Sequence, residues 1–358
     1  MKIFYYINTI SHGGAERVMT NLASEMAVRG HDCTIITSFT KEWEYPIGVG
    51  VKRISIYDRP IGNFITRNYK LISAVRKLIK ENEPDLLVTF MGEPNLRALP
   101  IVAGTGTKLV MSVRNDPQKE YVGHVKRWIA KYIFPLADGM VFQTVDAKEW
   151  FPTRLQEKSV IIYNPVDYAF YNIELSGKRT GIVATGRLKP QKNHSLLIKA
   201  FAIIADKVED DLTIYGAGEQ DALNNLIHNL GLDGRVHLLG QCGDVPNVLS
   251  KYRLYVLSSD FEGMPNALME AMAVGLPCVS TDCPCGGPRK LFSNGLKDCL
   301  VPVGNEEKMA EKMLQLLTDA NYAAEVSALC KNASEEFEPS KIFDCWENYL
   351  CRFSRKSM

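Results

Sequence analysis

One stretch of this sequence decides the fold class: Ser258-Ser259-Asp260-Phe261-Glu262-Gly263-Met264-Pro265-Asn266-Ala267-Leu268-Met269-Glu270. It follows an apolar run at 254–257 that is typical of a buried strand, and it leads into an apolar run that predicts a helix ending at Gly275. Pro265 stands where that helix would begin, because its fixed φ and missing N–H suit a first helical turn. The stretch therefore predicts a strand, a loop and a helix in succession.

Strand and helix patterns alternate outward from this stretch over the whole chain. We predict strands at 2–8, 34–37, 51–56, 86–90, 109–113, 140–142 and 160–163, then at 181–185, 212–215, 236–239, 254–257, 278–281 and 300–303. Apolar strands that alternate with helices form parallel sheets covered on both faces. At 358 residues the chain exceeds a single core, and the polar stretch around 166–178 separates two α/β domains.

The predicted domains span residues 1–166 and 167–341. The last helix, at about 342–358, carries Trp346, Tyr349 and Phe353, which is enough aromatic surface to require a partner. We expect it to pack back on the first domain. Ligands of open parallel sheets bind outside the carboxyl ends of the strands, so we expect both sheets to present their strand ends to one cleft.

Composition excludes several classes of protein. Hydrophobic residues make up 46% and charged residues 23%, which is typical of a globular enzyme rather than a disordered chain. A net charge of +1 argues against nucleic-acid binding. The nine cysteines form no Cys-x-x-Cys pair, which favours reduced core thiols over a metal site. No apolar run is long enough to span a bilayer or to act as a secretion signal, so we expect a cytoplasmic protein.

Three further loops follow predicted strands. Gly13 and Gly14 open a helix, where paired glycines let a backbone approach an anion; a tight turn without a ligand explains them equally well. Arg187 and Lys192 lie five residues apart and can hold a diphosphate from two sides, although two solvated surface cations are the simpler explanation. Residues 215–219 contain Gly216 and Gly218 but lack the third glycine of a dinucleotide loop.

The helix after Pro265 offers backbone amides to a ligand. We expect the N–H groups of Met264, Asn266 and Ala267 to be candidate donors to a phosphate or sugar oxygen at its N-terminus. Glu270 is the one carboxylate on this otherwise apolar helix, so we expect it to be buried. A buried carboxylate needs partners, and these are either sugar hydroxyls of a bound nucleotide or a local arginine and backbone amides.

Several motifs in the same order resemble one family. Glu262 and Glu270 form the Glu-x7-Glu pattern of the retaining glycosyltransferases of the GT4 type, which have the GT-B fold. The stretches at 13–17, 186–193, 271–277 and 285–288 are similar to that family as well, and 112–117 resembles members that act in bacterial capsule, O-antigen and glycan assembly. The resemblance covers nearly the whole chain and implies two Rossmann-like domains that face each other across a cleft.

The resemblance also implies a role for each matching residue. Arg187 and Lys192 would stabilise the leaving diphosphate, Glu262 would bind donor-sugar hydroxyls, and Glu270 would bind the ribose. The donor site would further contain Gly13, Gly14, Gly216, Gly218, Gly263, Met264, Pro265, Asn266 and Ala267. The family retains anomeric configuration and usually works without a metal, so we expect no cofactor, with the UDP-sugar as a substrate.

The acceptor side rests on basic residues of the first domain. The candidates are His12, Arg114, Asn115, Lys126, Arg127 and Lys131, and Arg114 stands where related enzymes often have a histidine. Basic residues at 59–80 and 121–135 alternate with aromatic and aliphatic ones, which favours docking on an anionic membrane surface, although solvated helix faces explain the pattern too.

The resemblance implies a retaining hexosyltransferase. It would transfer a hexose or N-acetylhexosamine from a UDP-sugar to a polyprenyl-diphosphate-linked saccharide, at the inner face of the cell membrane, in surface polysaccharide or glycan synthesis. A UDP-sugar epimerase or hydrolase of the same fold is the first alternative. A non-catalytic module that binds sugar nucleotides or membranes is the second.

Overall fold

The computed structural model describes residues 1–11, 13–60, 62–173 and 179–354 of the chain. The chain divides into two compact units. Unit 1 comprises Met1–Pro165 and Ser340–Met358, and unit 2 comprises Val166–Pro339. His12, one of the candidate acceptor-side residues, lies outside the described residues.

Unit 1 is built on a parallel sheet, with seven strands among its described residues in the order β3-β2-β1-β4-β5-β6-β7. The strands are β1 (Lys2–Ile7), β2 (Asp32–Phe39), β3 (Lys52–Tyr57), β4 (Leu86–Phe90), β5 (Lys108–Ser112), β6 (Gly139–Phe142) and β7 (Ser159–Ile161). The whole of β4 is buried, because helices cover both faces of a parallel sheet.

The helices of unit 1 connect these strands. They are α1 (Gly14–Val28), α2 (Phe64–Asn82), α3 (Gly92–Val102), α4 (Pro117–Glu120), α5 (His124–Trp128), α6 (Val145–Glu149) and α7 (Thr153–Gln156). A π-helical turn at Ile129–Ile133 and a 3-10 turn at Phe134–Leu136 continue α5. Helix α1 buries one apolar stripe that includes Val18, Leu22 and Met26, as its sequence period predicts.

Unit 2 contains the second parallel sheet, with six strands among the described residues in the order β10-β9-β8-β11-β12-β13. The strands are β8 (Ile182–Thr185), β9 (Leu212–Tyr215), β10 (Val236–Leu238), β11 (Leu254–Leu257), β12 (Cys278–Thr281) and β13 (Leu300–Val301). The helices are α8 (Tyr168–Tyr171), α9 (His194–Ile204), α10 (Asp221–Asn229), α11 (Val245–Leu249), α12 (Asn266–Val274), α13 (Gly287–Leu291), α14 (Glu306–Thr318) and α15 (Ala320–Ser334). The predicted α/β class is therefore confirmed in both units.

The last helix, α16 (Pro339–Leu350), packs into the core of unit 1. Its Trp346 is fully buried and stacks on Phe90 with ring centroids 5.6 Å apart. The Tyr349 hydroxyl accepts a hydrogen bond from the Met140 N–H at 3.0 Å and donates one to the Lys158 carbonyl at 2.7 Å. Because these groups are buried or partly buried, α16 is an integral part of this core.

Each sheet has one point at which the strand order reverses. In unit 1 this point lies between β1 and β4, and in unit 2 it lies between β8 and β11. Open α/β sheets bind ligands at such points, outside the carboxyl ends of the strands. The loops that follow these four strands are therefore the first places to look for function.

Candidate active site

In unit 2 the loops after β8 and β11 are joined by hydrogen bonds. The Asp260 N–H donates to the Gln191 carbonyl at 2.9 Å, and the Asn193 side-chain amide donates to Asp260 Oδ1 at 2.7 Å. The Ser258 hydroxyl donates to the Lys192 carbonyl at 2.9 Å. These bonds fix the backbone on both sides of the switch point, so that side chains from two distant parts of the sequence meet there.

Lys192 and Glu262 form an ion pair at this junction. Lys192 Nζ lies 2.6 Å from Glu262 Oε1, and the two side chains are only 16% and 10% exposed. The Ser259 hydroxyl donates to the same carboxylate oxygen at 2.7 Å. Two of the three predicted catalytic residues are thus brought together, in a setting where their charges compensate for their lost hydration.

Cys283 lies beside this pair but is not a nucleophile. Burial, together with the neighbouring Glu262 carboxylate, raises the pKa of the Cys283 thiol to about 12. The thiol therefore stays protonated at neutral pH, and only a thiolate would be reactive.

Arg187, the third predicted catalytic residue, is exposed in the loop after β8. Among the described residues it forms no ion pair, in contrast to Lys192. An exposed guanidinium beside a switch point is available to a phosphate group, which it can bind with two parallel hydrogen bonds.

Gly216 and Gly218 owe their residue type to packing between loops. A Cβ on Gly216 would lie 1.8 Å from the Gly186 carbonyl oxygen, and a Cβ on Gly218 would lie 2.7 Å from Cβ of Leu188. Gly218 also has a φ of +144°, which L side chains rarely adopt. Both glycines therefore allow the loop after β9 to contact the loop after β8, and their place in the donor site remains a prediction.

Helix α12 begins at Asn266, with Pro265 immediately before it as the N-cap residue. The predicted burial of Glu270 is confirmed, since this carboxylate lies in the buried part of the helix. A Cβ on Gly287 would lie 1.8 Å from the Gly263 carbonyl oxygen, so the start of α13 packs closely on the loop. Along this loop, Glu262, Gly263, Met264 and Pro265 are buried, and Asn266 and Ala267 are half-buried.

In unit 1, Gly13 is the N-cap of α1 and Gly14 its first residue. Gly13 has an extended backbone with a φ of −120°, which any residue can adopt. A Cβ there would fall 1.8 Å from Glu16 Oε2, at the end of a flexible side chain. The backbone conformation therefore does not require glycine at Gly13, and its role in approaching a ligand stays a prediction.

Arg114 is buried at the carboxyl end of β5 without a carboxylate among the described residues. Its guanidinium donates to the side-chain oxygen of Asn164 and lies 4.6 Å from the Phe90 ring centroid. Burial lowers the pKa of Arg114 to about 9. The neighbouring Asn115 is half-buried. A buried cation held by neutral groups is suited to an anion brought by a substrate.

Lys126, Arg127 and Lys131 lie on α5 and the π-helical turn after it. Arg127 is exposed, Lys126 and Lys131 are half-buried, and Lys131 Nζ lies 5.4 Å from the Trp150 ring centroid. The structure thus groups these three candidates in one helical segment.

Sequence analysis missed a polar network at the switch point of unit 1. Asn8 follows β1, and Glu93 lies in the first turn of α3 after β4. Glu93 Oε2 accepts hydrogen bonds from Asn8 Nδ2 at 3.0 Å and Arg97 Nη2 at 2.8 Å. The sequence contained the same signal that identified the site in unit 2, namely polar residues that directly follow an apolar strand.

Two family models match consecutive parts of the chain. Residues 12–170 match Glycosyltransferase Family 4, and residues 179–319 match Glycosyl transferases group 1. Both models describe glycosyltransferases, and together they cover most of the chain, so the chain belongs to the glycosyltransferases.

Two bacterial relatives match along nearly their whole length. The N-acetylgalactosamine-N,N'-diacetylbacillosaminyl-diphospho-undecaprenol 4-alpha-N-acetylgalactosaminyltransferase of Campylobacter jejuni is 28% identical over 95% of this chain and 97% of its own. The GalNAc-alpha-(1->4)-GalNAc-alpha-(1->3)-diNAcBac-PP-undecaprenol alpha-1,4-N-acetyl-D-galactosaminyltransferase of the same organism is 24% identical over 97% of both chains.

A solved structure shows the same fold. Anabaena Alr3699/HepE in complex with UDP-glucose matches with a TM-score of 0.83 and 20% identity, over 98% of this chain and 100% of that one. The predicted GT-B fold class is thereby confirmed. Among the described residues, the structure contains no helix with the length and apolar composition needed to cross a membrane.

Proposed function

We propose that this glycosyltransferase moves a hexose or N-acetylhexosamine from a UDP-sugar to a polyprenyl-diphosphate-linked saccharide, with retention of anomeric configuration. One observation carries the proposal: the Lys192–Glu262 pair stands at the switch point of unit 2. The likeness of the chain to two transferases named for undecaprenyl-diphosphate-linked acceptors supports the acceptor class.

The donor diphosphate needs positive charge where it leaves. Arg187 is exposed, and Lys192 lies near it in sequence with its ammonium held by Glu262. A bound diphosphate would compete with Glu262 for Lys192 and would be bound directly by Arg187. Both cations would stabilise the charge that develops on the leaving oxygen. Residues of the chain would then supply the charge that a metal supplies in other transferases, so we propose a metal-independent reaction.

The two carboxylates would bind hydroxyl groups. Glu262 lies beside Lys192 and would contact the donor sugar, whereas Glu270 lies one turn into α12 and would bind the ribose. The backbone N–H groups of Gly263, Met264, Asn266 and Ala267 would donate to sugar or phosphate oxygens at the start of α12. In the retaining reaction, the bond from C1 to the phosphate oxygen breaks and a bond from C1 to the acceptor oxygen forms on the same face. The acceptor proton passes to the leaving phosphate oxygen.

Thermal unfolding with UDP, GDP or ADP in excess EDTA tests the donor site. A ligand at about 100 times its dissociation constant stabilises the folded state by about 2.7 kcal/mol. We expect a shift with UDP that EDTA does not abolish. No shift with any nucleotide would contradict the donor assignment, and loss of the shift in EDTA would contradict metal independence.

Turnover of two matched variants tests the diphosphate role. Arg187 and Lys189 are both exposed cations of the loop after β8. We expect Arg187→Ala to lower turnover by orders of magnitude and Lys189→Ala to stay close to the unmodified enzyme. UDP release that does not depend on an acceptor would instead favour the hydrolase or epimerase, and a lack of turnover despite UDP binding would favour the binding module.

We further propose that unit 1 docks on an anionic membrane at the cytoplasmic face. The apolar side chains of Val125, Trp128 and Tyr132 are 72%, 54% and 66% exposed, and they recur at helical spacing. Arg127 and Lys131 lie among them, so apolar contact and positive charge coincide. Such docking would bring the enzyme to a lipid-linked acceptor in the synthesis of capsule, O-antigen or a related surface polysaccharide.

Sedimentation with vesicles tests the docking. We expect binding to vesicles of phosphatidylglycerol and phosphatidylcholine, weaker binding to phosphatidylcholine alone, and a loss of binding in Trp128→Ser/Tyr132→Ser. The control Val28→Ser/Val49→Ser also removes exposed apolar side chains of unit 1, and we expect it to bind normally. Equal loss in both double variants would refute a specific docking surface.

A further inference from the structure

The Glu93 carboxylate is held in one orientation at the switch point of unit 1. Its Oε2 atom accepts both hydrogen bonds, from Asn8 and from Arg97. The side chain of Glu93 is nevertheless 43% exposed, whereas that of Arg97 is 3% exposed. One edge of this carboxylate therefore faces the protein, and the other is open to a ligand.

The Arg97 guanidinium is fixed by partners on three sides. Its Nε donates to Asn68 Oδ1 at 2.6 Å, and its Nη1 donates to the Tyr6 hydroxyl at 3.2 Å and to Asn8 Oδ1 at 2.8 Å. A buried cation without a carboxylate is strongly unfavourable. Glu93 therefore cannot turn away from Arg97 without loss of stability, and its free edge is preorganised.

The other carboxylate oxygen, Glu93 Oε1, has no hydrogen-bond partner among the described residues. Burial raises the pKa of Glu93, but Arg97 and Asn8 more than offset this, so the pKa lies below its usual value. The carboxylate is thus charged at neutral pH and accepts hydrogen bonds only. It attracts hydroxyl groups and repels phosphates.

We infer that Glu93 Oε1 accepts a hydrogen bond from a hydroxyl of the acceptor saccharide and selects acceptors by that hydroxyl. The position supports this, because the carboxyl ends of β1 and β4 flank the ligand-binding point of the sheet. The inference rests on the proposed function, since it assumes a saccharide acceptor. It assigns the neutral sugar of that acceptor, rather than its diphosphate, to Glu93.

The substitution Glu93→Gln keeps an acceptor oxygen toward Asn8 and Arg97 but removes the negative charge, so we expect some loss of stability from the buried Arg97 guanidinium. The amide oxygen can replace Oε2 toward Asn8 and Arg97, while the NH2 group replaces Oε1 and donates where the carboxylate accepted. With a short-chain polyprenyl-diphosphate N-acetylgalactosaminyl saccharide as acceptor, we expect KM for the acceptor to rise roughly 10- to 100-fold. KM for the UDP-sugar and the UDP-induced thermal shift should stay unchanged. Glu81→Gln is the matched control, because Glu81 is 53% exposed and also pairs with a cation four residues away in its helix.

Acceptor analogues that each lack one hydroxyl separate recognition from a structural role. The unmodified enzyme should discriminate against one deoxy analogue, and Glu93→Gln should lose that discrimination. Glu93→Asp keeps the charge but moves it back by one methylene group, so it should weaken the same discrimination. This variant replaces Glu93→Gln in the test if Glu93→Gln does not fold. An unchanged acceptor KM and unchanged discrimination, with a normal UDP shift, would overturn the inference. Absence of a UDP shift in the unmodified enzyme would instead overturn the proposed function.

Discussion

The substitution Lys192→Met tests whether the buried Lys192–Glu262 ion pair stabilises unit 2. It replaces the ammonium 2.6 Å from Glu262 Oε1 with an apolar group of similar length. The carboxylate then retains the Ser259 hydroxyl as its side-chain donor among the described residues. Glu262 would therefore stay mostly buried, with its main compensating charge removed.

The structure sets the size of the effect. Removing one partner of a fully buried ion pair costs about 3–5 kcal/mol. Because water reaches part of both side chains, we expect Lys192→Met to lower the free energy of unfolding of unit 2 by about 2–4 kcal/mol. The double variant Lys192→Met/Glu262→Gln leaves no charge behind, so it should recover at least about half of that loss. It should nevertheless remain inactive, since both groups would take part in the reaction.

The assay must distinguish the two units. All four tryptophans of the chain lie in unit 1, so their fluorescence follows that unit during urea unfolding. Hydrogen exchange measured by mass spectrometry on peptides covering β8 and β11 reports unit 2. We expect exchange in those strands to accelerate roughly 30- to 1,000-fold in Lys192→Met, with little change in β4.

Two results would refute this reasoning. In the first, the free energy of opening measured by hydrogen exchange in β8 and β11 differs by less than about 0.5 kcal/mol between Lys192→Met and the unmodified protein. Such a small change is usual for substitutions at exposed sites. The other is a double variant whose loss equals the sum of the single losses, because independent sites add and coupled charges do not.

Two further predictions concern other parts of the chain. Burial raises the pKa of Glu120 to about 7, and Glu120 Oε1 accepts a hydrogen bond from the Gly92 N–H. Because this pKa is higher in the folded protein than in the unfolded chain, ionisation of Glu120 destabilises the fold as the pH rises. In urea titrations, Glu120→Gln should therefore raise the free energy of unfolding by roughly 1–3 kcal/mol at pH 8 and by less at pH 5. An equal gain at both pH values would contradict this. Gly216→Ala places a Cβ against the Gly186 carbonyl, so it should lower the free energy of unfolding by about 1–3 kcal/mol in urea titrations. It should also reduce the thermal shift caused by UDP. Gly243→Ala, which has open space around the added Cβ, should change neither measurement.

The sheets could be predicted because their central strands, such as β4 and β11, are buried along their whole length. The run at 254–257 is apolar, the run at 86–90 is apolar except for Thr89, and the structure contains strands β4 and β11 over the same residues. The period of α1 was equally clear, since its buried residues recur every three or four positions. These signals are local in sequence, so strands and helices can be assigned from them without knowledge of the tertiary structure.

The pairing at the site could not be predicted, because it depends on how two strands lie in the sheet. Lys192 and Glu262 are 70 residues apart, and only the adjacency of β8 and β11 brings them together. The glycine at Gly216 shows the opposite problem. The resemblance implies that Gly216 belongs to the donor site, but the neighbouring Gly186 carbonyl already explains why a side chain is excluded there.

The two switch points differ in charge, and under the proposed function this difference would divide the substrates between the units. In unit 2, Arg187 is exposed without an ion pair among the described residues, so this point can take an anion. In unit 1, Arg97 is held within the protein by Glu93, and the exposed group is an acceptor of hydrogen bonds. An anionic sugar nucleotide therefore suits unit 2, and a neutral saccharide hydroxyl suits unit 1. Both sheets reverse their strand order in the same way, and the two points differ in the charged group that is exposed: an arginine, Arg187, in unit 2 and a carboxylate, Glu93, in unit 1.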